Sequence, residues 1–233
     1  MQKTIYNKYL GEIECRYNPR ARRIIFRFKD GRFQATMPVK TGEQQLDAVI
    51  AENLGKLLKL KEEKKAATFR SGETIFSSDH MTITLLPHDI PEWHLSGRDG
   101  KYIIRHPQEE DLSDKATTEH IKKLMAVCMK HRAKTVMPAR TKQLARQFGF
   151  IYKEVKITSA RRSWGSCTGK QNINFSFYTM SLPAHLTDYV ILHELCHTVE
   201  MNHSARFWGL LDRCTGGRAF ALRDEMKRYS TGI

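Results

Sequence analysis

A short apolar run near the C-terminus carries the spacing H-E-x-x-H. His193 and His197 lie four residues apart, and Glu194 directly follows the first of them. Residues four apart on an α-helix lie one turn apart on the same face, so two imidazoles can bind one metal ion. Glu194 projects about 100° round the helix from His193, where its carboxylate can accept a proton from a water molecule beside the metal. This spacing predicts metal-assisted hydrolysis with Glu194 as the general base.

The residues around the two histidines are mostly apolar. They are Tyr189, Val190, Ile191, Leu192 and Leu195. A helix with this surface is buried, and buried histidine and glutamate side chains need partners. The competing interpretation, a helix with two ordinary histidines, leaves these side chains without partners. A metal ion supplies them, so the apolar surroundings favour a metal site.

A catalytic zinc ion usually has three protein ligands and a water molecule, so a third ligand is required. Glu200 lies on the same helical stripe as His193, but a straight helix would separate the two by about 10 Å. His203 can reach the ion only if the helix ends before it. Asn202 tolerates the left-handed conformation that ends a helix, and Ser204 could cap the next one. We therefore predict His203 as the third ligand of one zinc ion per chain, although imidazole also binds nickel, cobalt and copper.

A strand pattern upstream of the helix could form one wall of a cleft. Residues 172–177 alternate strictly, with Asn172 and Asn174 on one face and apolar residues on the other. If this strand borders the histidine helix, its free edge could pair with an extended peptide substrate. An ordinary packed hairpin explains the same pattern equally well. Arg162, just before the hairpin, could orient a substrate carbonyl or carboxylate, or could be a surface residue.

Other catalytic roles also have candidates in the sequence. Cys167 could act as a nucleophile with a nearby histidine, but the best placed histidines are already assigned to the metal. Candidates for a hydrogen-bond donor to an oxyanion are Tyr178, Tyr229 and His185. If His203 is not the third ligand, Glu200 and Glu225 are the next candidates.

The same part of the chain carries a resemblance to a known family. The motifs are His193-Glu-Leu-Cys-His197, Asn202-His203-Ser204, Phe207-Trp208, Ser163-Trp-Gly-Ser-Cys167 and Asn172-Ile-Asn174. Over residues 158–213 the chain closely resembles the YgjP-like metallopeptidase domain family, which is related to the SprT-like zincins. The resemblance implies a zinc-dependent peptidase that acts on peptides or proteins. It places the metal ligands on the three histidines and the general base on Glu194.

The elements that must position these residues indicate an α+β fold in two parts. Residues 1–112 are predicted to be β-rich with one long helix, and residues 113–233 to form a zincin-like catalytic domain. Alternating apolar residues predict strands at residues 24–28, 32–37, 81–85 and 102–105. Hairpin turns are expected at Lys29-Asp30-Gly31 and Asp99-Gly100.

Helical periodicity predicts one long helix in each part. Apolar residues recur at three-to-four spacing from Thr41 to about Ala67, and again from Ala116 to Met137. Pro138 is expected to interrupt the second helix, because proline lacks the backbone N–H that a helix interior needs. We detect no internal repeat in the sequence.

Composition limits the class of protein. Of 233 residues, 40% are hydrophobic, which is enough for a folded core. The five cysteines are widely spaced and form no C-x-x-C pair, so neither a disulfide framework nor a thiolate zinc cluster is expected. No apolar stretch approaches the roughly 20 residues of a membrane helix, and the first residues lack the apolar core of a signal peptide. We therefore expect a cytoplasmic protein without a membrane partner.

Positive charge favours a second function. The formal net charge is +14, and the segment from Lys115 to Phe150 contains nine basic residues and one acidic residue, Glu119. Such a charge attracts polyanions, although a solvated polar face explains it as well. The alternative is a nucleic-acid-associated protein of the SprT-like type, with a structural zinc ion or with protease action on DNA-bound proteins. A structural zinc ion typically has four ligands rich in cysteine, so three histidines and a glutamate favour the enzyme.

Overall fold

The computed structural model describes residues 2–29, 32–65 and 69–231. Over these residues the chain forms eleven strands and five α-helices. These elements form a mixed α+β structure in two units, Met1–Thr68 and Phe69–Ile233. None of the helices in the described part of the chain combines the length and the apolar composition needed to cross a bilayer.

The first unit is a four-stranded sheet with one helix. Its elements are β1 (Gln2–Asn7), β2 (Gly11–Tyr17), β3 (Ile25–Lys29), β4 (Arg32–Met37) and α1 (Glu43–Lys65). The strand order is β1-β2-β4-β3, in which β2 and β4 are parallel and the outer pairs are antiparallel. Ile13, Phe33 and Leu46 lie in its core. The predicted strands at 24–28 and 32–37 are confirmed to within one residue.

Two predictions for this unit concern residues outside the described ones. The expected turn at Lys29-Asp30-Gly31 includes residues 30 and 31, and the expected helix end near Ala67 lies beyond Lys65, the last described residue of α1.

The second unit begins with the same arrangement. Its first elements are β5 (Thr74–Ser77), β6 (Thr82–His88), β7 (His94–Arg98), β8 (Lys101–Pro107) and α2 (Lys115–Phe148). The order is β5-β6-β8-β7, again with a parallel central pair and antiparallel outer pairs. The strands predicted at 81–85 and 102–105 are confirmed, and so is the Asp99-Gly100 turn, where both residues have positive φ.

Each unit therefore contains one copy of a four-strand and one-helix motif. In the two central pairs, Ile13 lies opposite Phe33 and Ile83 lies opposite Tyr102. The matching hairpins read Lys-Asp-Gly-Arg-Phe before Pro38 and Arg-Asp-Gly-Lys-Tyr before Pro107. The expectation of no internal repeat is wrong at the level of topology. Beyond this turn few matched positions are alike, as Gln34 against Ile103 and Thr36 against Arg105 show, so the similarity is hard to recognise in the sequence alone.

The boundary predicted between residues 112 and 113 lies inside the second unit. Helix α2 begins at that point and covers the preceding sheet. Met81 and Ile83 from the sheet and Ile121 and Met125 from α2 belong to one hydrophobic cluster. Because sheet and helix share this core, the division between the units falls instead between residues 68 and 69.

Helix α2 continues through Pro138, where it was predicted to stop. Asp114 caps its N-terminus by accepting hydrogen bonds from the N–H groups of Ala116 and Thr117, and Gly149 ends it at φ 74°. Proline removes one helical hydrogen bond. Met137 and Thr141 are fully buried on either side of it, so packing holds both halves of the helix against the core.

The remaining elements form a small sheet and three helices. They are β9 (Glu154–Thr158), β10 (Gly165–Cys167), β11 (Asn172–Ser176), a short 3₁₀ helix (Phe177–Ser181), α3 (Ala184–Cys196), α4 (Ala205–Cys214) and α5 (Ala219–Met226). The alternation predicted for residues 172–177 is confirmed up to Phe175, since Ile173 and Phe175 are fully buried, but Ser176 is buried as well and the strand ends there. Its predicted free edge is wrong. Strand β11 pairs with β10 on one side and with β9 on the other, so β10 is an edge strand of this sheet.

Candidate metal centre

Helix α3, which carries His193 and Glu194, is anchored at its N-terminal end. The carboxylate of Asp79 accepts a hydrogen bond from the backbone N–H of Ala184 at 2.8 Å, and His80 Nε2 lies 2.8 Å from the hydroxyl of Thr187. One turn further on, the guanidinium of Arg140 donates two hydrogen bonds to Asp188, at 2.7 and 2.6 Å. The β5–β6 turn and α2 thus fix the start of the helix that carries the candidate site.

The chain reverses direction directly after the H-E-x-x-H residues. Helix α3 ends at Cys196, whose carbonyl accepts hydrogen bonds from the N–H groups of Val199 and Glu200, at 3.0 and 2.9 Å. The helix thus ends before His203, as predicted, but Asn202 does not have the positive φ expected of it. The predicted cap at Ser204 is confirmed, since its hydroxyl accepts from the Phe207 N–H at 3.4 Å.

This reversal brings three imidazoles together. His193 Nε2 lies 3.2 Å from His197 Nε2 and 3.0 Å from His203 Nε2, and the last two atoms are 3.2 Å apart. Nitrogen ligands at about 2.0–2.1 Å from a tetrahedral zinc ion are separated by roughly 3.3 Å. The three Nε2 atoms thus have nearly the spacing of one face of a zinc tetrahedron. Among the described residues, these histidines are the one group of side chains with such convergence.

The protonation of the imidazoles suits a cation. Nδ1 of His197 lies 3.0 Å from the carbonyl oxygen of Glu200, so an N–H there leaves the Nε2 lone pair free. Burial, followed by the charges of His197 and His203, lowers the pKa of His193 to about 3. Burial also lowers the pKa of His197. Neutral imidazoles with convergent lone pairs repel one another unless a cation lies between them, so the donor set fits a bound metal ion.

A single phenyl ring lies beneath all three imidazoles. Phe207, on α4, is fully buried, and its ring centroid lies 4.9 Å from that of His193, 4.5 Å from that of His197 and 4.8 Å from that of His203. Sequence reasoning did not assign this residue a part in the site. Its apolar type and helical spacing indicate a core residue and nothing more.

Glu194 is buried beside the edge strand β10. It is 5% exposed, and its Oε2 atom has no hydrogen-bond partner. Burial raises the pKa of this carboxyl to about 8. Gly165 of β10 faces it so closely that an added Cβ would lie 2.8 Å from Oε1. A buried carboxylate oxygen without a partner is costly, and a water molecule or a cation in the site would relieve that cost.

The structure places the predicted substrate-binding residues on and near the small sheet. Asn174 donates a hydrogen bond from Nδ2 to the Ser166 hydroxyl at 3.3 Å, which links β11 to the edge strand. Asn172 starts β11 with its Oδ1 atom buried and without a partner. Arg162 is exposed in the segment before β10.

The thiol of Cys167 lies near the buried carboxyl. Burial, and after it the negative charge of Glu194, raises the pKa of Cys167 to about 11. The thiol is therefore protonated at neutral pH, and a protonated thiol is a poor nucleophile. This argues against the alternative in which Cys167 attacks the substrate.

The other candidate residues have partners of their own. The carboxylate of Glu200 pairs with Arg206 at 3.0 Å, and that of Glu225 pairs with His185 at 2.9 Å. Neither acid joins the histidine cluster. The three candidates for the oxyanion donor, Tyr178, Tyr229 and His185, are scattered: Tyr178 is buried beneath Arg161, and His185 is held by Glu225.

Tyr189, predicted only as one of the residues that bury the helix, lies beside the histidine cluster. The ring centroid of Tyr189 is 6.1 Å from that of His193, one turn along the same helix. It is 5% exposed, and burial raises the pKa of its hydroxyl to about 12. Tyr189 lies four residues before His193 in the sequence, but this spacing is equally typical of an apolar residue that buries the helix.

An α+β unit with three histidines converging beside a buried glutamate defines a metallopeptidase type of protein, and comparison with known families agrees. The model of the YgjP-like metallopeptidase domain matches residues 22–229. The chain belongs to this family, as its resemblance had indicated.

Comparison with other proteins adds one structure. The crystal structure of the metallopeptidase zymogen abylysin from Pyrococcus abyssi aligns with 21% identity and a TM-score of 0.36. The alignment covers 39% of this chain and 91% of that one. No curated protein matches the chain.

Proposed function

We propose that this protein is a zinc-dependent peptidase in which His193, His197 and His203 hold one zinc ion and Glu194 is the general base. The observation that carries the proposal is the triangle of Nε2 atoms, with sides of 3.0 to 3.2 Å, at the C-terminal end of the helix that carries the buried Glu194. Three neutral nitrogen ligands and a free fourth position are the arrangement of catalytic zinc, whereas structural zinc is closed by four ligands.

In the proposed hydrolysis the metal site and Glu194 have different roles. A zinc ion, when bound, supplies Lewis acidity that lowers the pKa of a water molecule and polarises a peptide carbonyl. Glu194 accepts the proton of the attacking water on a carboxylate oxygen and returns it to the leaving amine. Burial raises the pKa of this carboxyl, and the positive charge of a bound zinc ion would oppose that rise and keep the group ionised as a base. The apolar surroundings that raise this pKa also limit the access of bulk water.

Substrate binding is proposed along the edge strand. Strand β10 has a strand neighbour on one side within the described chain, and its residue Gly165 faces Glu194. An extended peptide added to this edge would bring its backbone to the general base by main-chain hydrogen bonds. The predicted contributions of Asn172, Asn174 and Arg162 belong to this part of the proposal.

Replacement of the base tests the mechanism. Glu194→Gln is expected to keep the zinc ion and to lower the turnover of a peptide library by about 10²–10⁴-fold, the usual contribution of a general base. Glu119→Gln, an exposed position on α2, is the control and should change neither quantity. Unchanged turnover in Glu194→Gln would refute the role of Glu194.

Removal of the third ligand tests the metal site. Mass spectrometry of untagged protein is expected to show about one zinc per chain, since a catalytic site holds a single ion. In His203→Ala the zinc should be lost or much weakened. His185→Ala, which removes a histidine already paired with Glu225, should retain it. Zinc retained by His203→Ala would move the third ligand elsewhere, and absence of metal from the wild type would refute the proposal.

A second function is favoured by one surface of α2. Lys123, Lys130 and Lys134 are exposed on one face of this helix, and within the described chain none of them has an acidic partner. No acid occurs from residue 120 to 150. A nucleic acid is the partner that we propose for this alternative. DNA binding that weakens steeply with salt would support it, and no binding at low salt would remove it.

A further inference from the structure

Gly165 and Glu194 approach one another across the small sheet and α3. A Cβ atom built on Gly165 would lie 2.8 Å from Cγ, 2.8 Å from Oε1 and 3.0 Å from Cδ of Glu194. Side-chain carbons pack at about 3.5–4.0 Å from one another. An alanine at this position would therefore collide with the carboxyl group itself.

The backbone of Gly165 gives no other reason for a glycine. Its φ lies outside the left-handed region, so any residue could adopt its conformation. It sits in a strand, where glycine is unfavourable unless something approaches closely. The side chain that approaches closely here is Glu194.

The backbone is held in place on both sides of this contact. Gly165 pairs with Phe175, which is fully buried, and the carbonyl of the preceding Trp164 accepts a hydrogen bond from Ser176 at 2.9 Å. These contacts hold β10 against β11. Glu194 is 5% exposed on a helix anchored by the Arg140–Asp188 pair. Since the backbones are fixed on both sides, a collision would be resolved by the rotamer of the Glu194 side chain.

We propose that Gly165 is a positioning residue for Glu194: the missing side chain leaves the space in which the carboxyl group takes up its working orientation. This inference rests on the proposed role of Glu194 as general base. It adds that the edge strand, through one glycine, sets the direction of the carboxylate independently of the three histidines.

The kinetic test is Gly165→Ala. Zinc content should stay at the wild-type level because the histidines are not touched, and KM should change little. The turnover number should fall by about 10²-fold, the effect of a misplacement of about 1 Å in a catalytic group. Gly169→Ala is the matched control: it lies in the turn of the same hairpin, its φ is not positive, and its added Cβ would meet nothing within 4 Å. Wild-type turnover in Gly165→Ala would overturn the inference.

A stability measurement tests the contact without any activity. Gly165→Ala should lower the melting temperature when Glu194 is present, but much less in a Glu194→Ala background, where the carboxyl group is gone. Equal losses in both backgrounds would overturn the inference, even if the protein proves to be an active peptidase. Conversely, a coupled loss in a protein that never cleaves peptides would support the contact and refute the proposed function.

Failure of the single variant to fold is also informative. If Gly165→Ala is insoluble and the double variant with Glu194→Ala is soluble, the collision is with Glu194, which supports the inference. If both are insoluble, the glycine is needed for another reason and the inference is overturned.

Discussion

Phe207 is the residue that joins the three imidazoles into one packed group. It stacks on His197 with an angle of 26° between the rings, and its edge meets His193 and His203 at 70° and 79°. Aromatic pairs in these geometries stabilise one another beyond the area they bury. The phenyl ring therefore fixes the orientation of each imidazole before any metal arrives.

We predict that Phe207→Leu weakens zinc binding while all three histidines remain. Leucine fills most of the space but offers no flat surface to the imidazoles. Loss of a residue that orients the ligands typically costs about 10- to 100-fold in metal affinity. Competition with a chelating dye would measure this, and the visible spectrum of the cobalt-loaded protein would report a change in geometry.

The control for this variant is Phe177→Leu, a buried aromatic residue whose ring neighbour is Tyr178 and not a histidine. It should destabilise the fold to a similar degree and leave the zinc affinity unchanged. Equal affinities in both variants would contradict an orienting role for Phe207.

Among single residues, the sequence predicted those members of the candidate site that lie close together along the chain. The pairing of His193 with His197 followed from helix geometry, and the choice of His203 followed from the need for a third ligand and for a helix end before it. The structure brings these side chains together. Phe207 and Gly165 were missed as parts of the site because their importance comes from contacts between separate elements. Nothing in a lone phenylalanine or glycine shows what will be packed against it.

At the scale of elements, the β5–β6 turn acts as an anchor for α3. Besides Asp79 at the helix start, it contributes His80, which contacts Thr187 and whose carbonyl accepts a hydrogen bond from Arg132 at 2.8 Å. Burial, assisted by the charge of Arg132 and opposed by Asp79 and Asp188, lowers the pKa of His80 below 6.5.

We predict that this histidine makes the fold sensitive to acid. Because its pKa is lower in the folded than in the unfolded chain, protons bind preferentially to the unfolded chain. The stability contributed by neutral His80 is present above pH 6.5 and is lost as the pH falls below that value. Between pH 7.5 and 5.5, the melting temperature of the wild type should therefore fall further than that of His80→Gln.

The comparison isolates His80 because both proteins contain every other histidine, so their contributions cancel in the difference. Glutamine can still hydrogen-bond with Thr187 and does not titrate. Parallel curves of melting temperature against pH for the two proteins would contradict the prediction.

Elements that follow from local periodicity were predicted well, whereas features that depend on packing against other elements were predicted poorly. The strands and long helices follow from alternation and three-to-four spacing. The stop at Pro138 was wrong because Met137 and Thr141 are buried on both sides of it. The prediction of a free edge on β11 was wrong because β9, from an earlier part of the chain, pairs with it. The sequence of one strand does not show which strands will lie beside it.

For the whole molecule, the organising feature is the repeated four-strand and one-helix motif. One copy forms the Met1–Thr68 unit with a hydrophobic cluster of its own, and the other opens the unit that carries the metal centre. The cluster of the second unit is built from residues of that unit, from Met81 to Leu222.

We predict that a chain beginning at Phe69 folds and binds zinc without the first unit. Its core and the three histidines are all present in the shortened chain, since the two clusters share no residue. The shortened protein should show about one zinc per chain, as expected for a catalytic site, and a cooperative thermal transition. An unfolded or zinc-free product would show that the second unit depends on the first.

The three histidines of the metal centre lie within residues 193–203, a stretch short enough for a disordered chain to close again around an ion. A metal that also binds the unfolded chain increases the free energy of unfolding less than a metal that binds the folded chain alone. Because chelation by this stretch needs no long-range contact, we expect the unfolded chain to keep part of its affinity for zinc, so that added zinc raises the melting temperature less than its affinity for the folded protein alone would give.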